Sequence, residues 1–175
     1  MNKNMKIGDM RGAMKMIEEW TNTPKYNKWN KEATFVRKSV GGRKYHPNAK
    51  RTYAYLHTPN GKEKAQNRKC MLFFHGGGAV AGRPEGFLNI MNRYAAQADV
   101  NIINTKYRLA PEAKVPSGIN DGYAAFMDVR QNPKRFGCDP NKIGFFGESG
   151  GGYITAGVGL QLAERNQGHL ARFQI

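Results

Sequence analysis

Gly147-Glu148-Ser149-Gly150-Gly151 sets a serine among glycines, directly after the apolar run Ile143–Phe146 and before a stretch with helical period. A G-x-S-x-G sequence between a strand and a helix makes a sharp turn with the serine hydroxyl exposed at its tip. Glycine is needed on both sides because side chains there would clash. The backbone N–H of the next residue, Gly150, then points to where a tetrahedral oxyanion would form. A second glycine loop, His75-Gly76-Gly77-Gly78, closes an earlier apolar run. The N–H groups of Gly76 and Gly77 would add donors at the same point, and losing one such donor typically costs ~3–4 kcal/mol of transition-state stabilisation. Taken singly, either loop could be a tight turn. Neither has the G-x-G-x-x-G form of a dinucleotide cradle, and no Walker lysine follows. The chemistry suggested is acyl transfer, with Ser149 as nucleophile.

The elements that would position these loops follow from the apolar spacing. Met10, Met14, Ile17 and Trp20 recur at steps of three or four and predict a helix that "TNTP" breaks, with Trp29 as an anchor beyond it. "ATFVRKSV" (33–40) and "RTYAYLHTP" (51–59) read as strands, the second with two unlike faces. "CMLFFH", "VNIINTKY" and "KIGFFG" are continuous apolar runs, as expected of strands buried on both faces, with "CDPN" as a turn before the last. Between them lie two helices. One has Phe87, Ile90, Met91, Tyr94, Ala95 and Ala98 on a single face; the other starts near Ser117, which can cap it, and stops at Asn132-Pro133. A third helix after Ser149 aligns Ile154, Val158 and Leu162. Alternating strands and helices of this length predict an α/β fold with a mostly parallel sheet of about five strands and helices on both faces. Both glycine loops fall at the carboxyl ends of strands, where open sheets of this kind carry their chemistry.

Three blocks in order, "HGGGAVAG" (75–82), "YRLAPE" (107–112) and "GESGGG" (147–152), resemble the hormone-sensitive-lipase-like branch of the α/β-hydrolase superfamily. That branch includes arylacetamide-deacetylase-like esterases and plant carboxylesterase-like receptors. "INDGYAAF", with Asp121, resembles the segment that follows in the family. The likeness is close over about residues 70–165 and looser before. It implies a serine esterase acting on small acyl esters or amides, with no cofactor. Ser149 would be the nucleophile and Gly76, Gly77 and Gly150 the oxyanion donors, supported by His75, Gly147 and Gly151. It also implies that residues 1–32 form a basic, cap-like helical segment and that residues 33–175 are an incomplete α/β-hydrolase domain. Arg108, Glu112 and Asp121 are expected in loop ion pairs, and His75 is expected to brace the oxyanion loop.

A serine hydroxyl needs a histidine to take its proton and a carboxylate to orient that histidine. In this fold they follow the serine in the order acid, then histidine. After Ser149 the sequence offers only Glu164 and His169. Glu164 lies at the far end of the following helix, over ~20 Å away at ~1.5 Å per residue, and His169 lies beyond it. His46 and His57 belong to the first strands or their connection and have no role in the family pattern. These 175 residues alone are therefore expected to be inactive. Three readings stay open: half of a split enzyme completed by another polypeptide, a scaffold subunit (a pseudoenzyme) in a larger assembly, or part of a longer ordinary esterase. In the family the sheet has eight strands, so the strand before Ser149 would be an exposed edge, a surface for a protein partner.

Composition narrows the class further. With 39% hydrophobic residues and 19 aromatics, 175 residues suit one globular domain. No apolar run approaches the ~18–20 residues of a membrane helix. The opening "MNKNMKIGDM" lacks the apolar stretch of a secretory signal. No Cys/His cluster has zinc spacing, so no metal is expected. Cys70 and Cys138 read as buried thiols, which with the missing secretory signal leans toward a cytoplasmic protein, while the basic, acid-poor start leaves an organelle open. Residues 1–70 hold 17 Lys and Arg against 5 Asp and Glu, a basic stretch that is either a solvated face or a patch for an acidic partner. No nucleic-acid-binding signature accompanies it.

Overall fold

The structure, a computed structural model, describes residues 7–21, 23 and 31–175. Helix α1 (Ile7–Thr21) is followed by strands β1 (Ala33–Gly41), β2 (Arg51–Pro59) and β3 (Arg68–Phe74). A 3-10 turn (Pro84–Phe87) leads into α2 (Leu88–Ala98), β4 (Asn101–Thr105), α3 (Ser117–Gln131) and the short α4 (Pro133–Phe136). β5 (Cys138–Gly147), α5 (Gly150–Glu164) and a 3-10 turn (Gly168–Leu170) complete the order. Trp29 and the side chains of Ile17 and Trp20 lie outside the described residues. Among the described residues no helix is long and apolar enough to cross a membrane.

The five strands form one α/β sheet in the order β1-β2-β4-β3-β5. It is mixed: β3 runs parallel to β4 and β5, while β2 is antiparallel to both β1 and β4. The period of two along each strand divides the apolar side chains between two cores. Leu72 and Phe74 of β3, Ile103 of β4 and Ile143 and Phe145 of β5 meet α3 and α5 on one face, where Ile154, Val158 and Leu162 are the α5 contribution. Phe73, Ile102 and Met91 and Ala95 of α2 form the core on the other face. Each such Phe or Ile, fully buried, contributes about 1.5–3 kcal/mol, which is why these runs lock into central strands. Parallel strands feeding both cores place the carboxyl ends of β3 and β5 side by side, and both glycine loops leave from there.

Four expectations are corrected. Cys70 and Cys138 are not thiols but a disulfide, with Cα atoms 5.7 Å apart. The β3–β5 ladder is irregular between Arg68 and Cys70, and Cys138 pairs with Arg68, so a separation of 68 residues closes to one cross-strand contact. The reduced-thiol argument for a cytoplasmic location therefore lapses. The "CDPN" stretch is strand, the first part of β5, although Asn141 N–H does close a local turn onto Asp139 Oδ1. On α2 the apolar face is narrower than the spacing predicts: Tyr94 and Ala98 are exposed while Asn89 and Asn92 are buried. A polar contact turns the helix that way, because Asn92 Oδ1 accepts from His57 Nδ1 at 2.7 Å. Ser117 begins α3 but makes no side-chain cap.

The edge of β5 is also not bare. Residues 172–175 run along it in parallel, through Arg172 N–H to Ile143 O, Phe145 N–H to Phe173 O and Ile175 N–H to Phe145 O. The Phe173 ring fills the space over Gly144, where a Cβ would come within 2.6 Å of it.

Candidate active site

β5 ends at Gly147 and α5 begins at Gly150, so Ser149 must turn the chain in two residues. It does so at φ 52°, ψ −114°, a conformation that costs a non-glycine residue of order 1–3 kcal/mol and is retained where surrounding packing enforces it. The packing is visible at the flanking glycines. A Cβ at Gly147 would lie 2.3 Å from the Gly151 carbonyl, and one at Gly151 would lie 1.9 Å from Phe74 O at the end of β3. Gly151 N–H closes the turn onto Glu148 O at 2.8 Å, and Glu148 N–H ties it to Phe74 O at 3.3 Å. Ser149 is exposed, and among the described residues nothing hydrogen-bonds its hydroxyl. Desolvation pushes the neighbouring Glu148 carboxyl up from its ordinary value.

The 75–82 loop presses on this turn from the β3 side. A Cβ on Gly76 would lie 3.2 Å from Glu148 O and 3.6 Å from Ser149 Cβ, and one on Gly150 would lie 2.5 Å from the Gly78 nitrogen. The loop folds back on itself through Val80 and Ala81 N–H groups, both donating to Gly77 O. That leaves the N–H groups of Gly76, Gly77 and Gly150 without a hydrogen-bond acceptor among the described residues. Gly150 is also the first residue of α5, where unsatisfied N–H groups and the helix dipole favour negative charge.

His75 is held beneath the loop. Its ring stacks between Tyr107 (centroids 4.5 Å apart) and Phe87 (5.9 Å). Its Nδ1–H donates to Gly76 O at 2.8 Å, which leaves Nε2 buried without a partner among the described residues. Burial lowers its pKa to about 4, so it stays neutral. Tyr107 adds a bond that sequence reasoning missed: its hydroxyl donates to His75 O at 2.6 Å. The only signal for it was the position of Tyr107 at the head of "YRLAPE".

The following residue carries the expected ion pair. Asp121, 1% exposed, accepts from Arg108 Nε (2.7 Å) and Nη2 (2.8 Å) and from the backbone N–H groups of Lys50 and Arg108. Glu112 instead pairs with Arg11 of α1, which also donates to Val80 O and so fastens α1 to the 75–82 loop. Removing Asp121 leaves a partly buried guanidinium with carbonyl oxygens but no counter-charge, and two backbone N–H groups without their acceptor. Asp121→Ala is expected to cost about 3 kcal/mol in urea unfolding, whereas Glu112→Ala, on an exposed and solvent-screened pair, is expected to leave the urea midpoint nearly unchanged.

The remaining histidines and Glu164 stand apart from Ser149. Glu164 ends α5, and His169 is exposed in the 3-10 turn beyond it. His57 is buried in β2 against Asn92, and His46 packs its edge on Tyr123.

A family model described as "alpha/beta hydrolase fold" matches residues 71–175. An AB hydrolase superfamily protein of Schizosaccharomyces pombe is 38% identical over 109 residues, 60% of this chain and 31% of that protein. Arylacetamide deacetylase of Bos taurus is 36% identical over 114 residues, 62% of this chain and 28% of that protein. Among solved structures, an ester-hydrolase from the metagenome of Lake Arreo, complexed with a bipyridine phosphonate derivative, superposes with a TM-score of 0.81 at 27% identity, covering 97% of this chain and 50% of that one. A hyperthermophilic esterase of Pyrobaculum calidifontis gives 0.79 at 23% identity over 99% of this chain and 52% of that one, a likeness of fold. The chain thus spans about half the length of those structures, and its match covers about a third of the relatives' length.

Proposed function

The chain belongs to the α/β-hydrolase fold family, on its hormone-sensitive-lipase-like esterase branch, and from that premise we propose that Ser149 is the nucleophile of a carboxylic-ester hydrolase whose base and acid are not among the described residues. These residues form part of an esterase-like hydrolase domain. The observation that carries the proposal is the strained turn at Ser149 packed against the 75–82 loop, with the N–H groups of Gly76, Gly77 and Gly150 lacking acceptors among the described residues. Residues that only had to reverse the chain would gain nothing from either feature.

In the completed site Ser149 Oγ attacks the acyl carbon of a small ester while a histidine takes its proton. The carbonyl oxygen becomes an oxyanion held by Gly76, Gly77 and Gly150 N–H. Collapse breaks the bond to the alcohol oxygen, which leaves with the histidine's proton. Water then attacks the acyl-serine, and the carboxylic acid departs with Ser149 restored. No step requires a cofactor. His75 and Tyr107 are positioning residues: they fix the carbonyl and ring around which the oxyanion loop bends, and His75 has no proton to exchange with substrate because its Nδ1–H is committed to Gly76 O.

Lacking a base within reach, residues 1–175 alone are expected to hydrolyse p-nitrophenyl acetate no faster than Ser149→Ala does. Turnover that Ser149→Ala abolishes would overturn that expectation. A fluorophosphonate probe on the protein in its native assembly tests the proposal itself, since labelling at Ser149 requires an activated serine. An unlabelled Ser149 there favours the scaffold reading, which the exposed apolar side chains of Leu160, Phe173 and Ile175 beside β5 also suit.

A further inference from the structure

A cavity of about 810 Å³ opens between α1, the distal end of the 75–82 loop and the β4–α3 connection. Six cationic side chains line it: Arg11, Lys15, Lys50, Arg83, Lys106 and Arg108. They converge from α1, from the end of the β1–β2 connection and from either side of β4, so no single basic run in the sequence produces the cluster. The one carboxylate in the lining, Glu112, is taken up by Arg11 at 2.6 and 2.8 Å. Asp121 answers Arg108 from behind, and Lys15 lies 3.9 Å from Glu19 on the outer surface of α1. Among the described residues no carboxylate lies within ion-pair distance of Lys50 or Lys106; Lys106 faces the Tyr53 ring instead, 5.1 Å from its centroid. Met14, Phe87, Tyr107 and Leu109 supply an apolar floor under these charges.

We infer that this cavity binds an amphipathic organic anion, a phosphate- or carboxylate-headed molecule with a hydrocarbon body. Like charges gathered over an apolar floor repel one another and attract a counter-charge, and the field is strongest inside a concave, low-dielectric wall. The floor takes the hydrocarbon and the rim takes the head, the usual division of a small-molecule site of this size. Lys50 and Lys106 supply the cations that have no internal carboxylate to satisfy them. Ser149 is not among the lining residues, so the inference is independent of the nucleophile assignment.

Calorimetric titration of the purified protein with octyl phosphate, octanoate and octyltrimethylammonium, all below their micelle concentrations, tests it. At least one of the two anions binds one-to-one and saturably, more weakly as salt is raised, and the cation does not. The Lys50→Glu, Lys106→Glu double variant lowers the anion affinity about tenfold or more, the order expected for losing charge-assisted contacts. The Lys62→Glu, Lys64→Glu double variant, with the same change in net charge on an exposed turn away from the cavity, leaves it unchanged. Equal binding of the three probes, no saturable binding of either anion, or an equal loss in both variants overturns the inference. The comparison of probes on the unaltered protein decides even if a variant fails to fold.

Discussion

Gly151→Ala is expected to destabilise the fold by about 3 kcal/mol or more, the upper range for overpacking, because the intruding methyl has only backbone to push against. The added carbon would lie 1.9 Å from Phe74 O, 2.6 Å from Phe74 C and 2.8 Å from His75 O. None of these atoms can rotate aside as a side-chain end can. Moving them means parting the end of β3 from the turn, and with it the Glu148 N–H to Phe74 O bond that joins the two. Against a typical total of ~5–15 kcal/mol, such a loss leaves little folded protein at 37 °C. Gly152→Ala, one residue on, is the control. Its nearest contact would be Gly147 O at 3.6 Å, ordinary van der Waals distance, so it is expected to cost nothing and to gain up to about 1 kcal/mol from helix propensity. Urea midpoints of the two variants check both. Equal midpoints would mean that the turn at Ser149 is looser than these distances, and the strain argument for the nucleophile would go with it.

That contrast also marks what a sequence can and cannot reveal. The G-x-S-x-G spacing points to Gly147 and Gly151 as tight positions because the turn type is local and its chemistry is written in adjacent residues. The strands were legible for a similar reason: β1 and β2 follow the stretches read at 33–40 and 51–59 to within a residue, and the apolar runs of β3, β4 and β5 need no partner to be recognised. Features that depend on which strand neighbours which were not legible. The disulfide requires knowing that β3 and β5 are adjacent and out of regular register at Cys70. The true face of α2 requires knowing that a buried imidazole on β2 waits for Asn92. The cationic cavity draws on residues as distant as Arg11 and Arg108, which only the folded loop brings together. The site itself was half legible. Ser149 and its glycines stand in the sequence, while the Tyr107 hydroxyl that fixes His75 is a contact between the ends of β3 and β4 that spacing alone does not disclose.

The same two buried imidazoles make stability fall steeply with acid. His57 and His75 each donate Nδ1–H, to Asn92 Oδ1 and Gly76 O, and each leaves Nε2 buried with no partner among the described residues. Protonating Nε2 would place a charge in a buried site with no acceptor among the described residues, and burial accordingly lowers each pKa to about 4 from the ordinary 6.5. Above pH 6.5 both rings are neutral whether the chain is folded or not, and they contribute no pH dependence. Between pH 6.5 and about 4 the unfolded chain binds two protons that the folded one refuses, so stability falls as pH falls. Below about 4 the folded rings also titrate and this contribution levels off. A tenfold difference in proton affinity between folded and unfolded chain is worth about 1.4 kcal/mol, so each histidine costs about 3 kcal/mol by the lower end of that window. The two together approach the whole stability of a typical domain. Urea midpoints measured from pH 7.5 down to 4.5 are expected to drop progressively, above the range in which most exposed carboxylates titrate. His57→Gln, which keeps a donor for Asn92 and removes one titrating group, should shift the pH 7 midpoint by its packing cost but halve the fall between pH 6.5 and 4.5. An unchanged fall in that variant would mean that His57 is reached by water in the folded protein and that the acid sensitivity arises elsewhere.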